Sequence, residues 1–452
     1  MKFKSFVTCD GKTLTILTDG INLRHIEGLK QETTKRNVGR RLLVQVLLFP
    51  VTLQSFAWFL QLSSIKVWYM RRFGNNSLTG NEQEAINLIN TNAVSLNGFH
   101  DIDPLFDKIG NARIVMLGEA SHGTHEYYTW RTYITKRLIQ EKGFNFIAVE
   151  GDWPDCYKIN SYIKQDLDEE KKAADLLQTF DRWPTWMWAN WEIAALVAWL
   201  QLHNQSLPQR QKAGFYGLDV YSLWESLDAI LKYLEKVDPA GLKKASETFK
   251  CFEPYKEDGT SYAYATRVVP ELCENEVLEL LNEIQRKLPQ YDSGAENVFS
   301  TEQNALIAVN AEKYYRAMIQ GQSESWNVRD SHMQETLERL LDFHGQDSKA
   351  IVWAHNTHIG DSSATDMADD GMYNIGELSR KKFPGETFMV GFGSYGGSVI
   401  AGNSWGAKMQ HMIVPDASNN SWENILHKTG KRTLLIFMDS LKDSFLAKER
   451  IG

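Results

Sequence analysis

Six short apolar runs, bounded by polar or glycine signals, constrain the fold of this chain more than any other feature of it. They are Arg113–Leu117, Phe144–Val149, Gly214–Leu218, Ala350–Trp353, Thr387–Val390 and Thr433–Phe437. Each is too short for a typical helix. Each is also apolar at successive positions rather than alternate ones, the pattern of a strand buried on both faces. Between them lie longer stretches with helical apolar spacing: Glu126–Lys142, Asn190–His203, Tyr221–Val237, Glu271–Leu288, Gln303–Ile319 and Arg329–Phe343. The first two runs are offset by roughly 30 residues, the length of one strand–helix–strand unit. The expected class is α/β, with a central, mostly parallel sheet flanked by helices and a large helical insertion.

The residues that close these runs carry the chemistry. Glu119 and His122 follow the first run, Glu150 and Asp152 the second, Asp219 the third, and His355 and His358 the fourth. All fall at the carboxyl ends of their strands, where open α/β sheets bind ligands. A single strand-end Asp is commonly a helix cap. Acidic and imidazole groups delivered to one edge by four strands exceed what capping requires, so the expected active site lies there. The densest part is Leu117-Gly-Glu-Ala-Ser-His-Gly-Thr-His-Glu126. A turn built only for connection needs Gly and a small polar residue, whereas carboxylates that orient imidazoles serve general-base or metal chemistry. The general-base reading requires no cofactor. The same residues also offer a divalent-metal set, Glu119, His122, Glu150 and His355, because imidazole and carboxylate suit first-row ions.

Other residues have both a structural and a functional reading. His125 and His358 complete two HxxH pairs and serve equally as packing residues. Arg131 is either an exposed helical charge or a permanent cation that pairs with a carboxylate or steadies developing negative charge. Asp181–Trp191 holds four tryptophans around Pro184. Aromatics of that density pack a core or wall a pocket for a bulky apolar ligand, which makes Trp186 and Trp188 candidate substrate contacts. Gly391–Gly396 spells GxGxxG, but Ser398–Asn403 does not open as a helix, so no dinucleotide site is expected. No GxSxG elbow or Walker loop is present, which disfavours a serine esterase.

The net charge of −8 comes without a basic stripe, so nucleic acid is not an expected partner. The four cysteines form no CxxC pair and are read as reduced thiols of a cytoplasmic protein. Residues 1–83 read as an N-terminal extension of uncertain structure. Within it, 42–65 carries no charge and is flanked on both sides by Lys and Arg. That length suffices to cross a bilayer, although Gln45, Gln54, Gln61, Pro50 and three serines lower its hydrophobicity. Membrane anchoring through 42–65 is therefore the alternative to a cytoplasmic location. The sequence does not encode an oligomeric state that can be read.

Taken together, Gly118–His125, Ala148–Asp152, Gly217–Asp219 and Val352–His358, with Asp181–Glu192 and Glu324–Asp330, resemble the motifs of the erythromycin esterase family in order and spacing. The resemblance runs from about residue 84 to the C-terminus, making 84–452 one esterase-like domain, read as truncated at its C-terminus. It implies hydrolysis of a macrolide lactone or another small-molecule ester by water, with His122 as general base and Glu119 as its neighbouring carboxylate. Arg131, Glu150, His355 and His358 match further active-site positions, and His358 and Asp219 are expected on the substrate side. A metal-dependent hydrolase on the same cluster and a non-catalytic accessory protein of polysaccharide biosynthesis are the alternatives.

Overall fold

The apolar runs are the strands of one sheet. A computed structural model describes residues 13–18, 82–165, 172–255, 258–269, 272–291, 294–404, 406–419 and 421–448. In chain order the strands are β1 (Thr13–Thr18), β2 (Val94–Ser95), β3 (Ile114–Leu117), β4 (Phe146–Asp152), β5 (Gly214–Asp219), β6 (Ala350–Trp353), β7 (Thr387–Ser394), β8 (Gly397–Ala401), β9 (Gln410–Val414) and β10 (Thr433–Phe437). The large sheet has the order β2-β10-β1-β7-β3-β6-β4-β5, while β8 and β9 form a separate hairpin. Strands β7, β3, β6, β4 and β5 are parallel neighbours. Thr433–Phe437 departs from the parallel pattern, pairing antiparallel with both β1 and β2. β1 comes from the stretch read as an extension, yet it lies inside the sheet, parallel to β7. The apolar segment 42–65 lies outside the described residues.

Continuous apolar runs are needed because helices cover both faces of the parallel strands. Successive side chains alternate between those faces. Val115, Leu117, Ile147, Val149, Ile351 and Trp353 enter one layer. There they meet Ile134 and Leu138 of the helix His125–Lys142 and Leu196 and Leu200 of the helix Trp191–Gln205. Ile114, Met116, Phe146, Ala148, Ala350 and Val352 enter the other, against Met333, Leu337 and Leu340 of the helix Gln322–His344. Each fully buried Leu or Ile contributes about 1.5–3 kcal/mol relative to exposure.

The expected helical insertion lies between β5 and β6. Helices Leu223–Val237, Pro239–Phe252, Gly259–Thr266, Glu274–Lys287 and Ala295–Met318 pack around Leu227, Ile230, Phe252, Tyr262 and Ile284. Here the cysteine expectation is corrected. Cys251 and Cys273 form a disulfide, because the end of one helix meets the start of another with the Cα atoms 5.7 Å apart. Their spacing in sequence carries no signal of that meeting. Cys156 is a buried free thiol. Among the described residues no helix is long and apolar enough to cross a membrane.

Register brings the strand ends level. Leu117 pairs with Trp353 on one side and Val390 on the other, and Val149 pairs with Trp353. Beyond the last ladder pairs, Gly118 N–H donates to Val390 O at 2.8 Å and Asn356 N–H to Glu119 O at 2.8 Å. The Asn356 side-chain amide donates to Phe392 O at 2.7 Å, so one residue ties three strand ends together. Position 118 must be glycine, since a Cβ there would lie 2.0 Å from Asn356 Oδ1.

Candidate active site

Immediately past β3, Glu119 turns inward and is fully buried. An isolated buried carboxylate is costly, and two partners satisfy this one. Arg131 Nη2 donates to Oε2 at 2.8 Å, and His122 Nδ1 lies 2.8 Å from Oε1. Arg131 sits six residues into the helix that follows the turn, with its guanidinium 4.5 Å from the rings of both Tyr128 and Trp353. It is as buried as Glu119, so it acts on the site through that carboxylate and not as a cation at the mouth. The bond to Glu119 places the proton of neutral His122 on Nδ1 and leaves Nε2 as the basic nitrogen. Burial works against the imidazolium, but the hydrogen bond and charge of Glu119, with Glu150 behind, outweigh it and raise the His122 pKa. The His122 side chain keeps 31% of its exposure, so this imidazole reaches solvent.

Glu150, at the end of β4, is the centre of a second cluster. Its Oε2 accepts from the His355 backbone N–H at 2.7 Å and its Oε1 from Arg329 Nη2 at 2.8 Å. Burial disfavours its charge, yet His358 and Arg329 hold the carboxyl well below the usual range. His122 Nε2 stands 4.0 Å from the same Oε1. Arg329 also grips Asp219 at the end of β5 with two donors, at 2.9 and 2.6 Å, and its guanidinium lies over the Tyr221 ring. His358 is 2% exposed. Its Nδ1 faces Asp330 at 2.9 Å, and its Nε2 faces Arg329 Nη1 at 2.8 Å and Glu150 Oε1 at 3.4 Å. Trp326 stacks on its ring at 4.5 Å. Burial opposes protonation here too, but Asp330 and Glu150 push the His358 pKa up to about 9. Where the ring is neutral, its Nδ1–H donates to Asp330 and its Nε2 accepts from Arg329 Nη1.

His355 is held differently. Its Nδ1 accepts the Thr357 backbone N–H at 3.2 Å, which leaves the proton on Nε2, 3.0 Å from Ala120 O. Burial pushes its pKa down to about 4, so it is a neutral imidazole at pH 7. Its ring centre is 5.4 Å from that of His122. Both nitrogens of His355 and of His358 face protein partners, whereas His122 is partly exposed and its Nδ1 alone is held by Glu119.

The structure therefore brings Glu119, His122, Arg131, Glu150, Asp219, His355 and His358 into one cluster. His125 points away, exposed, to Glu192. Asp152 leaves the cluster for Arg182. Trp188 supports the site from behind by donating its indole N–H to Glu150 O at 3.0 Å. Trp186 is buried against Gly123, and Gly123 O accepts from the Ile400 N–H of the β8–β9 hairpin at 3.2 Å. Trp186 and Trp188 thus shore up the turn and the strand end. Among the described residues no group of three His, Cys, Asp or Glu side chains converges in a way that could hold a metal ion. In the set Glu119, His122, Glu150 and His355, both Glu119 oxygens and both His355 nitrogens already face protein partners. Arg329 and Asp330 are the site residues that sequence reasoning leaves without a role. Their signal is the spacing of Trp326, Arg329 and Asp330, which share one helix face.

Comparison with known proteins agrees with this architecture. A family model described as erythromycin esterase matches residues 139–451. Erythromycin esterase type II of Escherichia coli is 22% identical over 372 residues, spanning 76% of this chain and 85% of that protein. A solved succinoglycan biosynthesis protein superposes with a TM-score of 0.64 at 21% identity, covering 78% of this chain and 85% of its own. The erythromycin esterase mutant EreC in its open conformation superposes with a TM-score of 0.54 at 16% identity, covering 73% and 83%. At these identities the solved structures establish a shared fold.

Proposed function

The chain belongs to the erythromycin esterase family, and on that premise we propose that it hydrolyses a carboxylic ester or lactone by direct attack of water, with His122 as general base. One observation carries the reading: the chain of contacts Arg131–Glu119–His122, buried at one end and ending in a partly exposed imidazole. A carboxylate that fixes the tautomer and a base whose pKa lies near working pH are what general-base catalysis asks for. His122 Nε2 takes a proton from water as its oxygen bonds to the acyl carbon. The imidazolium then returns that proton to the departing alkoxide as the tetrahedral adduct collapses to acid and alcohol. Arg131 holds Glu119 in place by its hydrogen bond, and Glu119 keeps His122 in register. A small ester or lactone is the substrate class, and a macrolide lactone is the first member to test.

The test is a hydrolysis screen on small esters and macrolide lactones, with and without a chelator. Wild-type turnover that resists the chelator and is lost in His122→Asn supports the proposal. Activity removed by the chelator and restored by Mn²⁺ or Zn²⁺ points to a metal-dependent hydrolase. A folded protein without turnover on the whole panel points to an accessory role.

A further inference from the structure

Two histidines and one arginine compete for a single carboxylate oxygen. Glu150 Oε1 lies 2.8 Å from Arg329 Nη2, 3.4 Å from His358 Nε2 and 4.0 Å from His122 Nε2. Arg329 is held so that it must share that oxygen. Its Nε and Nη2 chelate Asp219, the Tyr221 ring lies against its plane, and its Nη1 meets His358. A planar guanidinium gripped on that many sides has one orientation, and a lysine ammonium could not reproduce the fork. We infer that Arg329 is a positioning residue: it fixes Glu150 and takes up part of the charge that this carboxylate would otherwise direct at His122. The inference rests on the proposed role of His122 only for its catalytic consequence, since the charge balance exists in the folded protein whatever the substrate.

The groups that face His122 are Glu119 from the turn, Glu150 from β4, Arg131 from the following helix and His355 from beyond β6. Arg329 reaches His122 through Glu150. Glu150 keeps the His355 N–H and His358 as partners when Arg329 is gone, so it stays ionised. Its undivided charge then favours the His122 imidazolium. Nearby opposite charges move a pKa by about 1–3 units, and a change relayed through a shared oxygen belongs at the low end of that range.

The experiment is an NMR titration of the His122 ring in substrate-free protein, assigned by difference from His122→Asn, alongside pH profiles of kcat/KM. Arg329→Gln is expected to raise the His122 midpoint by about one unit, with the acid limb of kcat/KM moving equally. In the Glu150→Gln background the same substitution is expected to shift the midpoint far less. Arg329→Lys keeps a charge in place, so its midpoint stays within a few tenths of wild type, and it covers the case in which Arg329→Gln fails to fold. An unchanged or lowered midpoint in Arg329→Gln overturns the inference. So does an equal shift in both backgrounds, or, where only the lysine variant folds, a full-unit rise in Arg329→Lys. If the protein turns over no ester, the proposed function fails while the titration still decides the role of Arg329.

Discussion

Glu119 and Glu150 both contact or approach His122, but they do different things to it. Glu119 supplies the hydrogen bond that sets the tautomer, whereas Glu150 stands beyond hydrogen-bond reach of Nε2 and acts by charge. Both raise the His122 pKa, and the base is free only above that raised value. Activity is therefore expected to fall as pH drops through a limb that lies above 6.5, the ordinary imidazole value. Glu119→Gln removes the largest of the raising influences, so the limb moves down in pH. The plateau is expected to drop by about 10²-fold as well, because the amide no longer fixes the ring as a carboxylate does. A kcat/KM profile from pH 5 to 9 checks both parts. A plateau loss with an unmoved limb would mean that Glu119 serves packing alone.

At the scale of elements, the level ends of β3, β6 and β7 decide whether the residues meet. Asn356 bridges them, and Gly118 leaves room for it. Gly118→Ala drives a methyl into Asn356 Oδ1, which should cost about 1–3 kcal/mol as an overpacked contact. Thermal denaturation checks this, with the expectation that Gly118→Ala loses more stability than Gly98→Ala, where the backbone is extended and no atom lies within 4 Å of a new Cβ. The strands were legible because burial on both faces demands unbroken apolar runs. Their pairing was not: nothing in the composition of Thr433–Phe437 tells an antiparallel neighbour from a parallel one. The β8–β9 hairpin was missed because its strands are largely exposed and lack the apolar signal. The strand-end half of the site was legible from Glu119, His122, Glu150 and His355, since polar residues interrupt apolar runs there. Arg329 and Asp330 were not, because charges on a long helix look like a solvated face. The helix begins at Gln322, before Arg329, and the turn that includes Trp326 seals His358.

Among the described residues, the sheet with its flanking helices and the helical insertion have separate cores. The Cys251–Cys273 bridge lies in the second and closes a loop with a sequence separation of 22. Closure of a loop that size stabilises by about 3 kcal/mol through the unfolded chain. Reduction should lower the melting temperature and loosen the insertion before the sheet, which hydrogen exchange under reducing conditions checks. Protection in Leu223–Val237 is expected to fall while that of β3 and β6 persists, and equal loss in both would show one cooperative unit. The insertion also makes contact with the site, since Tyr221 at its start packs on Arg329. The central claim, however, stands on one side chain. The most direct measurement compares kcat/KM of wild type and His122→Asn on the best ester found, at pH 8 in the presence of chelator, with melting temperature as the control for folding. The expected result is a loss of about 10²–10⁴-fold at an unchanged melting temperature, the range of a general base. A folded His122→Asn protein that turns over the ester at the wild-type rate would contradict it.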